Sequence, residues 1–322
     1  IALLIILACL KSYLLQKRNS TMSERSAPVF KAGFVVIIGK PNVGKSTLVN
    51  HFVGRKVSIV SPRPQTTRRR ILGVMNLPEA QIVFVDTPGI HKPKYKLGER
   101  MVEAAVSALP DADVILFVVD ASRPPNNEDR LIAELLQKEA KAPIILVLNK
   151  ADKLPIDKVK PHTEAYWQLV PQHADWMMTN ALKGHNCDKL LNLILKHLPE
   201  SPPYFPPEQI TDQPERLFAA ELIREKVLLN TRQEVPHCIG VAIDRWEEHP
   251  NGVLHIAGTL YAERETHKGI LIGEKGKMLK KIGQQARQEL ELWLGRKIYL
   301  ELWVKVRENW RNNPVFFQQL ES

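Results

Sequence analysis

The chain has 322 residues, of which 44% are apolar and 25% are charged, and its formal net charge is +10 at pH 7. These values exclude a disordered chain and leave room for two domains, each with its own hydrophobic core. The pI near 9.4 favours a polyanionic partner, either a nucleic acid or an acidic membrane face.

Residues 1–30 are expected to form a leader ahead of the first domain. Residues 1–10 are almost wholly apolar, but this run is too short to span a bilayer. Lys11, Lys17 and Arg18 follow the run, whereas a signal peptide carries its positive charges in front. We therefore expect residues 1–21 to be an upstream extension and the native chain to start at Met22. A short membrane-attaching segment is the alternative.

The three cysteines, Cys9, Cys187 and Cys238, lie far apart in the sequence. Their separations fit neither a metal site nor a disulfide framework. This usage is typical of a reducing compartment, so we expect a cytoplasmic protein.

Residues 31–199 alternate short apolar runs with amphipathic segments, which is typical of a doubly wound, mostly parallel α/β sheet. Five runs are predicted strands: residues 34–38, 81–85, 114–119, 144–148 and 175–178. In such sheets the ligand binds at the carboxyl ends of the strands. The residues that follow each run are therefore the candidates for function.

The first predicted strand leads into a glycine-rich loop that reads G-x-x-x-x-G-K-S. Gly39 and Gly44 allow a tight turn whose backbone N–H groups face phosphate oxygens, with the positive end of a helix behind them. Lys45 is expected to neutralise the terminal phosphates, and Ser46 to place its hydroxyl on Mg²⁺. The residues expected to bind the nucleotide here are Gly39, Lys40, Pro41, Asn42, Val43, Gly44, Lys45, Ser46 and Thr47.

Residues 61–70 contain two prolines and no apolar residue, so they are predicted to form an exposed, mobile loop. Arg69 and Arg70 at its end are expected to lie on a solvated face that leads into the next strand. The loop also contains Thr66 and Thr67.

The second predicted strand ends in Asp86-Thr87-Pro88-Gly89, about forty residues after the phosphate loop. A carboxylate at a strand end is suited to hold Mg²⁺ through water, and Gly89 is suited to present its N–H to a terminal phosphate. We expect all four residues to bind the nucleotide. A tetrapeptide of this kind also occurs in ordinary turns. Its position after the phosphate loop is what indicates a role in nucleotide binding.

Asn149-Lys150-Ala151-Asp152 follows the fourth predicted strand. Guanine presents two N–H donors that a carboxylate accepts as a pair, whereas adenine presents the reverse pattern. Asp152 is therefore expected to select guanine, with Asn149 tying the loop to the phosphate loop and Lys150 lying over the base. The alternative is a polar helix start capped by Asp152.

The order and spacing of these three motifs resemble a translation-factor-type GTPase domain. The resemblance implies that Thr67, or else Thr66, closes on Mg²⁺ and the γ-phosphate, and that the catalytic residues are Lys45, Thr67 and Gly89. It also implies a K⁺ ion near Asn42, although a loop-capping hydrogen bond explains that residue equally well. The Mg²⁺ ligands are then Ser46, Thr67 and Asp86.

Two positions depart from this pattern. Ile90 stands where signalling GTPases carry a glutamine that orients the attacking water, so slow intrinsic hydrolysis is expected. Residues 179–182 carry Asn180 in place of the usual serine, with the Ala181 N–H expected to meet guanine O6.

Residues 200–213 are rich in proline and are predicted to form a stiff linker. Asp212 is expected to cap a helix over 215–229. Strands over 238–246 and 253–262 follow, and Asn251-Gly252 between them indicates a hairpin.

Between two predicted helices lies a G-x-x-G sequence, which lets a backbone approach RNA phosphates and sugars. More than half of the excess positive charge of the chain lies within 264–311. With a final strand over 297–306, this order predicts an α+β KH domain of type II over 214–311; a plain interhelical turn is the alternative. Trp293, Trp303 and Trp310 are expected to be packing residues. The expected RNA-binding residues are Gly269, Ile272, Gly273, Glu274, Lys275, Gly276, Lys277, Lys280 and Lys281.

The guanine-nucleotide domain followed by this module, with the sequences 216–226 and 302–306 ahead of Trp310, resembles the Era family of bacterial GTPases. The resemblance implies a monomer that binds the 3′ end of small-subunit ribosomal RNA during assembly of the small ribosomal subunit. It also implies hydrolysis stimulated by RNA and some peripheral attachment to the inner membrane. Residues 312–322 do not follow the usual ending of the family and are left as a tail.

Two other functions remain open from the sequence. One is an RNA-binding scaffold whose nucleotide is not turned over, which Ile90 favours. The other is a nucleotide-gated, membrane-associated switch, which requires the residues before Met22.

Overall fold

A computed structural model of the chain describes residues 29–232 and 235–321. The predicted leader, with its alternative starts and Cys9, lies almost entirely outside these residues. Within the described ranges, no helix combines the length and the apolar character that crossing a membrane requires.

The first domain is built on a six-stranded sheet with the order β2-β3-β1-β4-β5-β6. Its strands are β1 (Lys31–Ile38), β2 (Ile71–Leu77), β3 (Ala80–Asp86), β4 (Val114–Asp120), β5 (Ile144–Asn149) and β6 (Asp175–Met178). All five predicted runs lie in strands. The prediction missed β2, which pairs antiparallel with β3 at the sheet edge. Gly73 and Asn76 interrupt the apolar pattern of that strand.

Five helices cover the two faces of this sheet: α1 (Lys45–Val53), α2 (Lys96–Val106), α3 (Asn127–Glu139), α4 (Val159–Leu169) and α5 (Cys187–His197). Each face is a continuous apolar cluster of fully buried strand residues and helix residues. On one of them Phe52 of α1 stacks on Phe84 of β3, with ring centres 4.9 Å apart. The parallel strands therefore end at a common edge, where the loops after β1, β3 and β5 meet.

The proline-rich linker lies along the β2–β3 edge of the sheet. Gln81 of β3 is buried, and its side-chain oxygen accepts hydrogen bonds from the backbone N–H groups of Tyr204 (2.7 Å) and Phe205 (2.9 Å). Its amide donates to the Phe205 carbonyl at 2.7 Å. Asp212 accepts a hydrogen bond from the Leu72 N–H, so its predicted role as a helix cap is wrong.

Replacing Gln81 with leucine is expected to lower the free energy of unfolding of the first domain by about 2 kcal/mol, because two linker N–H groups lose their acceptor. Urea unfolding monitored by circular dichroism measures this. The matched control is Gln209→Leu, in the linker itself, since Gln209 makes one long hydrogen bond of 3.3 Å to Thr211. Equal urea midpoints for both variants would contradict the assignment.

The second domain contains α6 (Glu215–Asn230), β7 (Gly240–Glu248), β8 (Leu254–Ala262), α7 (Glu265–Ile272), α8 (Lys277–Leu294) and β9 (Ile298–Val306). Its sheet has the order β7-β8-β9, with β7 and β8 antiparallel and β8 and β9 parallel. The apolar faces of the helices and the sheet form one core. The predicted hairpin, helix pair and final strand are thus present.

The three tryptophans of this domain differ in burial. Trp310 is fully buried and donates its indole N–H to the Cys238 carbonyl at 3.1 Å. Trp293 is half-buried and stacks on Phe218, with ring centres 4.2 Å apart. Trp303 is 61% exposed, so the prediction that it packs in the core is wrong. It lies on the solvent face of the edge strand β9, whereas its neighbours Leu302 and Val304 pack against the core.

Residues 314–321 form a further helix, α9 (Pro314–Glu321), for which the sequence made no prediction. Phe316 and Phe317 of this helix pack with Trp310 and with Leu97 and Met101 of α2. The end of the second domain is therefore joined to the first domain through apolar contacts.

Candidate nucleotide site and RNA groove

A cavity of about 370 Å³ opens at the carboxyl edge of the six-stranded sheet. Residues from the phosphate loop, the 59–67 loop, Gly89 and the β5 and β6 loops line it. Of the predicted nucleotide-binding residues, the cavity wall contains Pro41, Asn42, Gly44, Lys45, Ser46, Thr47, Thr67, Gly89, Asn149, Lys150, Asp152 and Ala181. Gly39, Lys40, Val43, Asp86, Thr87 and Pro88 lie behind this wall.

The phosphate loop turns into α1 through Gly44, whose φ of 105° is in the left-handed region. Lys45 follows it and is buried, and its ammonium donates to the carbonyls of Gly39 and Lys40, both at 3.1 Å. Burial lowers the pKa of Lys45 to about 8, against the opposing effect of Asp86. The cation that is predicted to meet the phosphates is thus held by the glycine-rich loop itself.

Lys40 directs its side chain away from the cavity. Its ammonium forms a buried ion pair of 2.6 Å with Asp129, which also belongs to the capping box that starts α3. The predicted contribution of Lys40 to nucleotide binding is therefore restricted to its backbone, while its side chain fixes the loop against α3.

Three oxygen ligands meet behind the phosphate end of the cavity. Ser46 Oγ donates to Asp86 Oδ2 at 2.6 Å, and Thr67 Oγ1 lies 2.9 Å from Ser46 Oγ and 3.5 Å from Asp86 Oδ2. The second carboxylate oxygen of Asp86 is buried and has no hydrogen-bond partner among the described residues. Burial raises the pKa of Asp86, although Ser46 and Lys45 oppose the rise. A buried, partly unpaired carboxylate beside two hydroxyls fits a Mg²⁺ ion, whose preferred ligands are oxygens.

The surroundings of the two threonines favour Thr67 as the one that reaches the predicted metal site. Thr67 is buried and reaches Ser46 and Asp86, whereas the Thr66 hydroxyl donates to the Arg63 carbonyl at 2.7 Å. Asn42 donates its side-chain amide to the Pro62 carbonyl at 2.9 Å, which is the loop-capping hydrogen bond weighed against the K⁺ site. The K⁺ ion stays a prediction.

The base end of the cavity is organised by Asn149. Its amide donates to the Val43 carbonyl at 2.8 Å, as predicted, and its oxygen accepts from Thr179 (3.2 Å) and from the Ala181 N–H (2.9 Å). The predicted contact of that N–H with guanine O6 stays a prediction. Asp152 lies exposed at the mouth of the cavity, next to Ala181 in the wall.

Lys150 is fixed beside the base end. It adopts a left-handed φ of 62°, and its ammonium pairs with Asp120 at 2.7 Å. Burial alone would raise the pKa of Asp120, but hydrogen bonds from Lys150 and Ser122 outweigh it and hold the pKa below its usual value. The stem of Lys150 is thereby directed along the cavity wall.

The loop after β3 closes against the phosphate loop. The Ile90 N–H donates to the Gly39 carbonyl at 3.2 Å, and a Cβ added to Gly89 would lie 2.6 Å from the Pro41 nitrogen. Only glycine permits this approach. Ile90 itself is buried in the apolar cluster on one face of the sheet.

The G-x-x-G sequence forms the turn between α7 and α8, with left-handed φ values at Gly273 (69°), Lys275 (51°) and Gly276 (78°). Lys275, Lys277, Lys280 and Lys281 are exposed around it. A groove runs from this turn between α8 and β9. Its walls contain Gly276, Leu279, Lys280, Gly283, Gln284, Arg287, Leu300 and Leu302.

Sequence reasoning found the turn but missed most of the groove wall. Leu279, Gly283 and Arg287 recur at helical spacing on α8, and Leu300 and Leu302 alternate on β9. These two periodicities were the available signal, since residues four apart share one face of a helix and alternate residues share one face of a strand.

Comparison with known proteins agrees with this architecture. Residues 34–150 match a family described as 50S ribosome-binding GTPases, and residues 234–311 match the KH domain family. The GTPase Era of Heliobacterium modesticaldum is 49% identical over 284 residues, which is 88% of this chain and 94% of that protein. The chain belongs to the Era family of GTPases.

Two solved Era structures match both domains. One is Era in complex with MgGDPNP and nucleotides 1506–1542 of 16S ribosomal RNA, with a TM-score of 0.86, 48% identity, and coverage of 90% of this chain and 98% of that chain. The other is a variant of Aquifex aeolicus Era bound to GDP and AlF₄⁻, with a TM-score of 0.85, 48% identity, and coverage of 90% and 99%. This Era-family chain is thus a P-loop GTPase with a KH domain, and it hydrolyses GTP.

Proposed function

We propose that this GTPase binds the 3′ end of small-subunit ribosomal RNA through its KH domain and acts as a GTP-dependent assembly factor for the small ribosomal subunit. The observation that carries the proposal is the match of 90% of the chain to an Era protein crystallised with nucleotides 1506–1542 of 16S ribosomal RNA. Residues 34–150 also match a family whose description names the 50S subunit, but that match leaves out the KH domain. The RNA-bound Era structure matches the KH domain as well, so it supports the small subunit as the partner.

We propose that GTP binds in the 370 Å³ cavity with Mg²⁺ at Ser46, Thr67 and Asp86. When bound, the ion neutralises charge that develops on the phosphates during transfer. The other contacts to the phosphates come from residues of the chain. Lys45 donates to the terminal phosphates, the backbone of residues 39–46 holds the phosphate chain, and Gly89 presents its N–H to the γ-phosphate.

The contacts between the domains support coupling of hydrolysis to RNA. The loop that contains Thr67 and the helix that follows Gly89 both lie against the second domain. GTP orders these segments, they set the position of the KH domain, and binding of the complete RNA triggers hydrolysis and release. The monomeric state and the peripheral attachment to the inner membrane stay predictions of the family resemblance, and the cytoplasmic location stays a prediction of the cysteine usage.

An RNA oligonucleotide that matches the 3′ end of the small-subunit RNA is expected to stimulate GTP hydrolysis, and Lys275→Asp is expected to weaken its binding by about tenfold or more. Aspartate places a negative charge against the RNA backbone, yet it tolerates the left-handed φ of 51° at this position. RNA binding by fluorescence anisotropy and GTP turnover in K⁺ buffer measure both effects.

The matched control is Lys297→Asp, because Lys297 is equally exposed but lies at the far end of α8 from the turn. It should bind RNA within about twofold of the unmodified chain, apart from the general effect of net charge. If Lys275→Asp binds RNA as tightly as Lys297→Asp, the G-x-x-G turn is not part of the RNA site. Binding without any stimulation would assign the trigger for hydrolysis to another ribosomal component.

A further inference from the structure

The loop with Thr67 lies between the nucleotide cavity and the KH domain. On its outer side the Val60 N–H donates to Glu225 at 2.8 Å, Arg63 donates to the Thr231 carbonyl at 3.2 Å, and Arg68 donates to the Ile239 carbonyl at 2.8 Å. On its inner side Thr67 reaches Ser46 and Asp86. The predicted exposure of this loop holds for Pro62, Pro64 and Arg70 but is wrong for Thr67, which is buried, and the mobility of the loop stays a prediction.

Arg224 of α6 makes the contact nearest to the predicted metal site. Its guanidinium is only 1% exposed and donates to the carbonyl oxygen of Thr66, the residue directly before Thr67. The same group forms a two-point ion pair with Glu221, one turn earlier on α6. Such a fork allows one orientation of the guanidinium, so the direction of its free donors is fixed.

The charge state of this pair is secure. Burial alone would raise the pKa of Glu221, but Arg224, Arg69 and Arg68 outweigh it and hold the pKa below its usual value. Glu221 is therefore ionised whenever Arg224 is in place. The ion pair holds the guanidinium group of Arg224 against α6. The guanidinium therefore moves together with the KH domain.

The carbonyl of Thr66 belongs to the same planar peptide unit as the nitrogen and Cα of Thr67. Holding its oxygen fixes the plane of that unit and the position of the Thr67 Cα within it, so rotation about the N–Cα bond and the side-chain torsion are what is left to direct the Thr67 hydroxyl. A loop held at this oxygen presents the Thr67 hydroxyl to Ser46 and Asp86 without further ordering of its backbone, which saves about 1–2 kcal/mol per residue.

We propose that Arg224 is a positioning residue for GTP hydrolysis: it is supplied by the KH domain and holds the Thr66–Thr67 peptide so that Thr67 closes on the metal. The inference rests on the proposed role of Thr67 in binding Mg²⁺. Any rotation of the KH domain that withdraws Arg224 releases Thr67. The hydrogen bond from Arg224 to the Thr66 carbonyl is therefore the contact through which the KH domain acts on the metal site.

Single-turnover GTP hydrolysis by the full chain, measured across a range of Mg²⁺ concentrations, tests the proposal. Arg224→Ala is expected to raise the Mg²⁺ concentration for half-maximal rate and to lower the maximal rate, each by about tenfold, as loss of a charged hydrogen bond predicts. The affinity for GDP should change by less than about twofold. Arg224→Lys should restore part of the rate, because its ammonium is also able to donate to the Thr66 carbonyl.

Three further variants keep the result interpretable. Arg55→Ala removes another contact between the domains, to the Trp293 carbonyl, and should leave the Mg²⁺ dependence unchanged. Glu221→Gln combined with Arg224→Met removes both charges of the pair, so it avoids a lone buried carboxylate if Arg224→Ala folds poorly. Thr67→Val reports directly on the proposed metal ligand.

The outcomes separate this inference from the function on which it rests. Suppose that Thr67→Val and the Arg224 variants each raise the Mg²⁺ concentration for half-maximal rate. If the double variant requires no more Mg²⁺ than Thr67→Val alone, Arg224 acts through Thr67. If Thr67→Val has this effect while the Arg224 variants behave as Arg55→Ala, Arg224 only joins the domains and the inference fails. If Thr67→Val leaves the Mg²⁺ dependence unchanged, the proposed metal role of Thr67 is wrong, and the positioning role of Arg224 is wrong with it.

Discussion

Asp152→Asn is expected to change the preferred base of the nucleotide from guanine to xanthine. The carboxylate of Asp152 accepts from the two N–H donors of guanine, whereas an asparagine offers one acceptor and one donor. Xanthine carries an oxygen where guanine has its amino group, so the new amide donor finds an acceptor there. Because two charge-assisted hydrogen bonds are lost, the affinity for GDP should fall by at least about 100-fold, and XDP should become the tighter ligand.

Asp152 is exposed, so the substitution does not change the packing of the core. Titration with GDP and XDP by isothermal calorimetry measures the change. The control is Asp157→Asn, because Asp157 is also exposed and pairs with its neighbour Lys158 at 3.2 Å. Retention of guanine preference by Asp152→Asn would mean that another group reads the base.

Gly44→Ala is expected to weaken the binding of GDP and GTP alike by at least about 100-fold. Gly44 has a φ of 105°, and a Cβ added to it would lie 2.2 Å from the side-chain nitrogen of Asn149. That nitrogen donates to the Val43 carbonyl, so a methyl group at this position separates the phosphate loop from the base loop. One substitution thereby disturbs both ends of the site, at a cost of about 3 kcal/mol for two broken contacts.

A second glycine provides the control for backbone strain. Gly54 at the end of α1 also has a left-handed φ, of 71°, but a Cβ added there meets nothing within 4 Å. Gly54→Ala should therefore lower stability by about 1 kcal/mol and leave nucleotide affinity unchanged. Binding of a fluorescent GDP analogue and thermal unfolding distinguish the two variants. Equal losses of affinity would show that strain, and not the contact with Asn149, is the cause.

The sequence was sufficient for features that depend on neighbours along the chain. Lys45, Asp86 and Asp152 each follow a buried run, and parallel strands bring their carboxyl ends to one edge. The turn at Gly273 was found for the same reason, since its unusual backbone requires glycine locally. In both cases a short motif contains the whole physical requirement.

Features that depend on distant partners were missed. Trp303 has an apolar neighbour on each side in sequence, but whether it faces the core is decided by the way β9 lies in its sheet. Asp212 has the residue type of a helix cap, yet Leu72 of the edge strand provides its partner. Arg224 contacts a loop more than a hundred residues earlier, and nothing in its own surroundings indicates that contact.

The apolar cluster that joins the domains has a consequence for synthesis of the chain. Leu97 and Met101 emerge from the ribosome early, while Phe316 and Phe317 are made after almost the whole second domain. Domains generally fold as units during synthesis, the N-terminal one first. The nascent chain therefore exposes this side of α2 until α9 has been synthesised and docks on it. Apolar side chains of α2 therefore stay exposed on the nascent chain for most of translation. Correct docking of α9 ends that exposure.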